Sequence, residues 1–594
     1  MKNFFKTLLA STIGSIIGFS IAFAIVVFMT IGIISSLVSI PKTGTLLIPQ
    51  NSVLMLKLDK PIYDRTPDNP LSNFNFNELS SINTPGLDKI IMAIKKAKSD
   101  NRIKGIYLEL SAIPASISTL SEIKKVLADF KSSGKFIIAY SETYTQKSYY
   151  IASVADSIFL NPQGAIDFKG LTAQVGFIKG TLNKLNIEMQ IIRHGKYKSA
   201  VEPLTLDKMS EANKEQTYTY VLGLWEEILK ELSKARNISH EELNKIADEL
   251  LVQDPQNALK YKLIDKLYYK DQVISTLQKY LSLNENAKVS FVSLEKYVND
   301  LKPFDIKTKT KNKIAVIYAE GEIESGEGDF QTIGSEKLSK TIRKARSDSS
   351  IKAIVLRINS PGGSALASEI IWREIILAKK NKPVIVSMGS IAASGGYYIA
   401  CPANKIFAQP YTLTGSIGVF GVIPNFKKFF SDKLGITFDY VNTNKHSDYI
   451  SVVRGMDPYE KLVLQNSIER IYETFINHVA ESRNMTPTYV DSIGQGRIWN
   501  GIDAKKIGLI DEIGGIEDAI LEAAKMSGIT DYNIIALPEH KDPFTKIIDE
   551  LTGSLPEEII KKQLGEAYIW YNYINKTKQL QGVQARLPFE INIY

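Results

Sequence analysis

The residue best placed for nucleophilic chemistry is a serine that follows an apolar run. Residues 384–386 are β-branched and apolar, small residues follow them, and Ser394 is succeeded directly by Gly395 and Gly396. A serine at a strand-to-helix turn exposes its hydroxyl, while the backbone N–H groups after it point outward. The same pattern also fits a tight turn with a capping serine. The stretch alone therefore leaves both a catalytic and a structural role open.

A second feature suited to the same chemistry lies upstream of this serine. Residues 355–358 are predicted to form a strand, and the adjacent glycines Gly362 and Gly363 come shortly after it. Two glycines after a strand expose backbone N–H groups, which suits an oxyanion hole. The two motifs together would supply a nucleophile and a site for a developing negative charge.

The chain repeats itself at an offset of 248 positions. Residues 88–108 are echoed by residues 336–356, and residues 148–162 are echoed by residues 396–410. Each copy alternates amphipathic helical stretches with short apolar runs, which predicts parallel β-α-β crossovers and a sheet covered by helices. A longer predicted helix closes each copy, over residues 210–235 in the first and 458–483 in the second. The sequence therefore predicts an α/β protein built from two tandem units of about 250 residues, rather than a short-repeat solenoid.

The duplication provides an internal control for the serine. At the same offset, Ser394 corresponds to Gln146, and residues 111–116 contain no glycine pair where the second copy has one. A purely structural serine turn should be needed in both copies. Because only the second copy has these features, the comparison favours a catalytic role for Ser394.

A serine hydroxyl also needs a base within hydrogen-bond reach. The five histidines show no evident triad order, and His446 is the nearest candidate in the second copy. Its counterpart in the first copy is Lys198. A lysine can act as a base if desolvation lowers its pKa from about 10.4 toward neutrality. The residues alone leave both candidates open.

The composition excludes several classes of function. The net charge of +8 comes from interspersed basic and acidic residues, without the single-sign stripe of a nucleic-acid-binding protein. Cys401 is the only cysteine, so there is no disulfide framework and no cysteine-based metal site. The histidines show no ligand spacing. We therefore predict neither a metal nor a cofactor, and Cys401 as a buried core thiol.

The N-terminus carries the strongest membrane signal. Residues 7–41 contain no charged side chain, which exceeds the roughly 20 residues that span a bilayer. Cleavage near Ser35 and Ser36 is an alternative, but the length of the run favours an uncleaved anchor. Because Lys2 and Lys6 precede the run, the N-terminus is predicted to be cytoplasmic and the large remainder extracytoplasmic.

These features divide the chain into four predicted parts. Residues 1–45 are a cytoplasmic stub and membrane anchor, residues 46–300 are the first unit, and residues 301–560 are the second. Residues 302–313 form the polar seam between the units, and residues 561–594 form a tail to which the sequence assigns no role.

Four motifs belong together, at residues 392–397, 359–363, 413–418 and 197–203. Jointly they resemble the long, tandem-duplicated form of the bacterial signal peptide peptidase A (protease IV) family. The resemblance covers nearly the whole chain after the anchor. It implies a ClpP/crotonase-like fold (a β-β-α superhelix) in each unit and a Ser/Lys dyad. By motif match the implied site residues are Ser394 as nucleophile, Lys198 as base from the other unit, Ser416 orienting the lysine amine, and Gly362, Gly363 and the N–H of Gly395 as oxyanion hole.

The resemblance also implies a biological setting. The implied protein is a single-pass serine endopeptidase of the bacterial inner membrane, whose catalytic body lies on the extracytoplasmic side and which assembles as a homotetramer. Its substrates would be cleaved signal peptides and other unfolded peptides. A crotonase-type acyl-CoA enzyme and a catalytically inactive membrane scaffold are the alternatives. The cleavage preference is open, as is whether the dyad forms within one chain, although the covalent tandem favours one chain.

Overall fold

The computed structural model describes most of the two predicted units. The described residues are 48–66, 85–300, 310–329 and 332–538, with 14–15, 18–19, 21, 25, 74–75, 80–81, 582–586 and 592–593. The predicted anchor lies outside them except at the six positions between 14 and 25. Within this part of the chain, no helix has both the length and the apolarity needed to cross a bilayer. Most of the predicted polar seam also lies outside the described residues.

The first half alternates strands and helices along the chain. Its strands are β1 (Ser52–Leu56), β2 (Phe74–Asn75), β3 (Ser80–Ser81), β4 (Ile103–Glu109), β5 (Phe136–Tyr144), β6 (Ser157–Ile166), β7 (Ala173–Gln174), β8 (Glu188–His194), β9 (Lys266–Leu267) and β10 (Ser290–Ser293). Its helices are α1 (Leu87–Ser99), α2 (Ile117–Lys131), α3 (Gln146–Ala152), α4 (Lys179–Lys184), α5 (Glu202–Thr205), α6 (Glu211–Arg236), α7 (His240–Asp248), α8 (Pro255–Lys260), α9 (Lys270–Tyr280) and α10 (Leu294–Asp300). A 3₁₀ turn covers Ser199–Val201.

The second half follows the same alternation. Its strands, with those of the tail, are β11 (Lys313–Glu320), β12 (Glu322–Glu324), β13 (Thr332–Gly334), β14 (Ile351–Ser360), β15 (Gly362–Ser364), β16 (Val384–Ala393), β17 (Lys405–Ala408), β18 (Leu413–Gly415), β19 (Val419–Asn425), β20 (Ile498–Trp499), β21 (Glu512–Ile513), β22 (Asn533–Leu537), β23 (Gly582–Arg586) and β24 (Asn592–Ile593). Its helices are α11 (Ser335–Ser347), α12 (Ala365–Lys379), α13 (Gly395–Ala400), α14 (Lys427–Leu434), α15 (Pro458–Arg483), α16 (Pro487–Ile493), α17 (Gly501–Lys506) and α18 (Ile516–Met526).

Each half builds one mainly parallel sheet. In the first half the strand order is β10-β1-β4-β5-β6-β9, and every neighbouring pair is parallel. In the second half it is β20-β18-β16-β14-β11-β22, where β20 is antiparallel to β18 and β17 pairs with β16 and β21. Parallel neighbours need helical crossovers, which the intervening helices supply. The predicted α/β class with parallel sheets is confirmed.

The strand before Ser394 is longer than the predicted 384–386. β16 continues to Ala393 because its second half leaves β17 and pairs with β18, in the register Ile391 to Leu413, while Ala392 stays paired with Ser360 of β14 after a register shift. The small residues are therefore the end of the strand and not a loop. Ser394 follows the strand directly and takes the N-cap position of α13, but its side chain makes no capping hydrogen bond.

The long helix predicted over residues 458–483 is confirmed as α15. The Asp457 side chain accepts from the Glu460 N–H, Pro458 takes the first helical position, and Asn484 ends the helix in the left-handed region at φ 53°. These are standard start and stop signals. The corresponding helix of the first half, α6, begins one residue later than predicted because Ser210 is its cap.

A third sheet joins the two halves. Its order is β13-β12-β15-β23-β19-β8, so it combines five strands from the second half and the tail with β8 from the first half. β8 pairs antiparallel with β19, from His194 opposite Val419 to Glu188 opposite Asn425. Because the segment after β8 contains Lys198, this pairing carries a first-half lysine to the second half.

The halves also share a hydrophobic core. One group of buried side chains contains Leu120 and Ile123 from α2 together with Val355 from β14 and Ile385 from β16. Burial of apolar surface is the main favourable term in domain association. The shared core therefore holds α2 of the first half against the sheet that carries Ser394.

Candidate active site

Ser394 lies at a backbone position that ordinary residues avoid. Its φ is 55° and its ψ is −116°, between the end of β16 and the start of α13. The Ser394 N–H donates to the Gly415 carbonyl (2.8 Å), and the Ser394 carbonyl accepts from the Tyr398 N–H (2.8 Å). A positive φ at a non-glycine residue is costly and persists where the surroundings enforce it, often at functional sites. The turn therefore fixes the direction of the Ser394 side chain.

Lys198 meets Ser394 within the same chain. Its Nζ lies 2.8 Å from Ser394 Oγ, and it donates to Ser416 Oγ (3.0 Å) and to the Ser416 carbonyl (3.1 Å). A neutral amine has two N–H donors and one lone pair. If Ser416 accepts both N–H groups, the lone pair is left for the Ser394 hydroxyl. The three contacts therefore match the needs of a neutral lysine acting as a base.

The surroundings of Lys198 favour this neutral form. The residue is fully buried, and burial lowers the pKa of its amine well below its ordinary value of 10.5. The ring centroid of Phe420 is 5.9 Å from Nζ, and Val201, Leu204 and Val422 form a buried apolar cluster with Phe420. An apolar setting disfavours the charged form because it removes the solvating water.

A segment that the sequence did not single out positions Lys198. The Tyr197 N–H donates to the Gln495 carbonyl (2.8 Å), and the Ser416 N–H donates to the Arg497 carbonyl (2.7 Å). Between them, Gly496 has φ 79°, and a Cβ added to it would lie 2.6 Å from the Lys198 Cβ. This position requires a glycine because the Lys198 Cβ lies too close to leave room for a side chain. The only sequence signal was the turn pattern Gly-Gln-Gly at residues 494–496.

Gln216 is a second positioning residue that sequence reasoning missed. From α6, its Nε2 donates to the Tyr197 carbonyl (2.9 Å) and to Ser199 Oγ (3.0 Å), on both sides of Lys198. Its Oε1 accepts from the Ile498 N–H (3.2 Å). The buried amide therefore ties the lysine segment to the 495–498 segment, which no sequence motif indicated.

The three glycines assigned to the oxyanion hole lie beside the Ser394 turn. Gly362 and Gly363 begin β15 with φ values of 96° and 155°, and a Cβ added to Gly362 would lie 2.7 Å from the Gly395 nitrogen. The Gly362 N–H donates to Ser360 Oγ (3.2 Å). Gly395 begins α13, and first-turn N–H groups have no intrahelical acceptor. The glycine backbones thus converge next to the serine.

The alternative base, His446, is engaged elsewhere. Its Nδ1 lies 3.2 Å from Glu460 Oε1 and 3.6 Å from Asp457 Oδ2, at the start of α15. Arg454 Nη2 also donates to Glu460 Oε1 (2.6 Å), and Arg454 lowers the pKa of Glu460 to about 2. The described contacts of His446 therefore belong to an ion-pair cluster, whereas those of Lys198 lead to Ser394.

The matching turn in the first half is built differently. Helix α3 begins one residue earlier than α13 does when the two copies are aligned. Thr145 therefore caps α3, and Gln146 takes its first helical position. Gln146 Nε2 donates to the Gly170 carbonyl (2.7 Å), and its Oε1 accepts from the Gly170 N–H (2.9 Å). Thr145 has an ordinary φ of −73°. The first copy does have a hydroxyl at its cap, but without the positive φ of Ser394.

Cys401 is buried in the core beside the site, as its sequence context predicted. Burial raises the pKa of its thiol to about 12, and Sγ donates to the Tyr398 carbonyl (3.3 Å). A neutral buried thiol is a poor nucleophile.

Comparisons with known proteins agree with the duplicated site. The model of peptidase family S49 matches residues 129–284 and again residues 376–530, once in each half. Protease 4 of Salmonella typhi is 39% identical over 484 residues, covering 79% of this chain and 77% of that protein. The chloroplastic serine protease SPPA of Arabidopsis thaliana is 33% identical over 543 residues, covering 91% of this chain and 78% of that protein.

One solved structure with a related name can be set beside the predicted ClpP/crotonase-like fold. A mutant of ClpP1 from Listeria monocytogenes aligns with 34% of this chain and 94% of that chain, at 19% identity and a TM-score of 0.24. At that score the ClpP/crotonase-like name stays a prediction.

Proposed function

The chain belongs to peptidase family S49 and is a serine peptidase, and we propose that Ser394 is its nucleophile and Lys198 its general base. The observation that carries the proposal is the 2.8 Å separation of Lys198 Nζ and Ser394 Oγ inside a fully buried site. Family membership as a serine peptidase also replaces the alternatives of a crotonase-type acyl-CoA enzyme and an inactive scaffold.

The proposed reaction proceeds through an acyl-enzyme. Neutral Lys198 takes the proton from Ser394 Oγ as that oxygen attacks a peptide carbonyl carbon. The carbonyl oxygen becomes negative and is stabilised by backbone N–H groups of the glycine turns, among them Gly395 and Gly363. Two N–H groups of the resulting Lys198 ammonium stay hydrogen-bonded to Ser416, and the third proton goes to the leaving amine as the C–N bond breaks.

The acyl-enzyme is then hydrolysed by the same groups. Lys198, neutral again, takes a proton from water while the water oxygen attacks the ester carbonyl. The tetrahedral adduct collapses, Ser394 Oγ leaves, and the lysine returns the proton to it. The products are two peptides, with one water consumed per bond cut.

Replacement of each dyad member tests this assignment. Ser394→Ala and Lys198→Ala should each abolish hydrolysis of an unfolded casein-type substrate. Matched controls come from the first copy, where Thr145→Ala and Lys147→Ala change the equivalent turn and should leave hydrolysis intact. Full activity in either dyad variant, with the fold verified by circular dichroism, would exclude the dyad.

We extend the proposal to a membrane-anchored endopeptidase that degrades cleaved signal peptides and other unfolded peptides. The uncharged run at residues 7–41 supports an anchor, with the catalytic body on the extracytoplasmic side of the bacterial inner membrane. The test is alkaline carbonate extraction of membranes with trypsin accessibility in spheroplasts. Release by carbonate, or protection of the catalytic body in intact spheroplasts, would contradict it.

We also propose the domain boundaries and the oligomeric state. The proposal retains the ClpP/crotonase-like fold for both units, the boundaries at residues 45, 300 and 560, and a homotetramer. Analytical ultracentrifugation in detergent should give about four times the chain mass of 66.3 kDa. A monomer at micromolar concentration would contradict the tetramer without affecting the dyad.

A further inference from the structure

The C-terminal strand β23 lies inside the sheet that carries the glycine turns. It pairs antiparallel with β15 on one side and with β19 on the other. Adjacent strands lie about 4.8 Å apart, so without β23 a slot about 10 Å wide would separate β15 from β19. Such a slot has two open backbone edges and fits one extended peptide.

The register places one residue of β23 beside the glycine turns. Gly363 is opposite Ala585, and Gly362 is opposite Arg586. A Cβ added to Gly362 would lie 2.1 Å from the Ala585 carbonyl oxygen, and one added to Gly395 would lie 2.9 Å from the same oxygen. The Ala585 carbonyl therefore lies at the glycine backbones assigned to the oxyanion hole.

Side chains of β23, as well as its backbone, make contacts with the rest of the protein. Ala585 is 1% exposed and Gln584 is buried. Arg586 Nη1 donates to Glu322 Oε1 on β12 (2.9 Å), in an ion pair that is mostly shielded from water. Further along, β24 pairs antiparallel with β7 of the first half. The tail is thus held at two places, at β23 by β15 and β19 and at β24 by β7.

We propose that residues 582–586 are a built-in peptide ligand that occupies the substrate cleft, with Ala585 in the position of the residue whose carbonyl is attacked. The inference rests on the proposed function, because it assumes that this cleft takes peptides. Covalent attachment makes the competition intramolecular, so a substrate must displace the tail before it binds. It also indicates that a small side chain fits at the reacting position.

A binding measurement tests the proposal without requiring turnover. Two Ser394→Ala proteins are compared, the full chain and a chain ending at residue 581. The probe is a fluorescein-labelled peptide with the sequence of residues 580–590, followed by fluorescence anisotropy. We expect at least tenfold tighter binding to the shortened chain. Equal affinity for both proteins would overturn the proposal.

A peptide variant provides the matched control. The same probe carrying Ala585→Trp should bind the shortened chain at least tenfold more weakly, because the Ala585 side chain has no exposed space around it. Equal binding of both probes would show that the peptide does not enter the cleft in this register.

A point variant in the full chain covers the case in which the shortened chain does not fold. In the Ser394→Ala background, Arg586→Glu places two negative charges together at Glu322 and should raise probe affinity several-fold, whereas unchanged affinity would count against the proposal. These readouts are distinct from hydrolysis. Loss of the proposed peptidase activity alone would leave the binding result standing, and a negative binding result would leave the dyad untouched.

Discussion

Replacing Ser416 separates orientation of the lysine amine from proton transfer itself. Ser416→Ala removes one of the two oxygens that accept from Lys198 Nζ, the hydroxyl at 3.0 Å, and leaves the carbonyl at 3.1 Å. A neutral hydrogen bond contributes about 0.5–1.5 kcal/mol. At about 1.4 kcal/mol per tenfold in rate, kcat should fall by about 2- to 13-fold. The amine keeps one partner, so activity should not be lost.

The assay is steady-state hydrolysis of a quenched fluorescent peptide over a range of pH. KM should stay near the wild-type value, because the hydroxyl contacts the lysine and not the substrate. The acid limb of the profile should move to lower pH or stay in place, since the lost acceptor also stabilised the ammonium. The control is Ser339→Ala, which removes a buried hydroxyl elsewhere. A loss as complete as that of Lys198→Ala, or no loss at all, would refute the orienting role.

Three other variants test the scaffold that brings the halves together. Gly496→Ala would place its Cβ 2.6 Å from Lys198 and should lower kcat/KM by about 100-fold, whereas Gly134→Ala has the same backbone strain at φ 78° with open space and should stay active; equal activities would contradict the close-approach argument. Arg357 is 1% exposed and its Nη2 donates to Asp64 (2.7 Å) and Glu122 (2.6 Å), so Arg357→Met should lower the urea unfolding free energy by about 3–5 kcal/mol. Arg102, whose side chain is 32% exposed, also pairs with a carboxylate, and Arg102→Met should lower the unfolding free energy by at most about 1 kcal/mol. Similar losses of unfolding free energy in the Arg357 and Arg102 variants would contradict a buried ion cluster at Arg357. Burial and the Asp64 carboxylate raise the pKa of Glu320 to about 8, so its contribution to stability is present below pH 4.5 and is lost as pH rises through 8. Between pH 5 and 9 the wild type should therefore lose more unfolding free energy than Glu320→Gln, by an amount on the order of a few kcal/mol, and parallel curves would contradict the shift.

Much of the architecture follows from patterns within short stretches of sequence. The alternation of helical and apolar runs predicted parallel sheets, and the signals around Asp457 and Asn484 fixed the limits of α15. The repeat identified Ser394 because the offset counterpart, Gln146, lacks a hydroxyl. The one-residue shift of α3, which makes Thr145 the cap, depends on packing and was not readable from the offset.

The position of Lys198 at the site depends on contacts between residues that are far apart in the sequence. Lys198 is 196 positions from Ser394. The repeat offset left Lys198 and His446 open as the base, and the motif resemblance distinguished the two. The pairing of β8 with β19 brings the two together, and a two-sided buried amide such as Gln216 has no sequence signature. β23 was likewise unpredicted, because a short strand inserted between distant partners leaves no periodic pattern.

The central claim is that neutral Lys198 activates Ser394, and the most direct measurement is active-site labelling as a function of pH. A fluorophosphonate probe, followed by peptide mass mapping, should label Ser394 alone in the wild type. Labelling should weaken as pH falls through the lowered pKa of Lys198 and should be lost in Ser394→Ala and Lys198→Ala. Labelling of a different residue, or undiminished labelling of Ser394 in Lys198→Ala, would contradict the account.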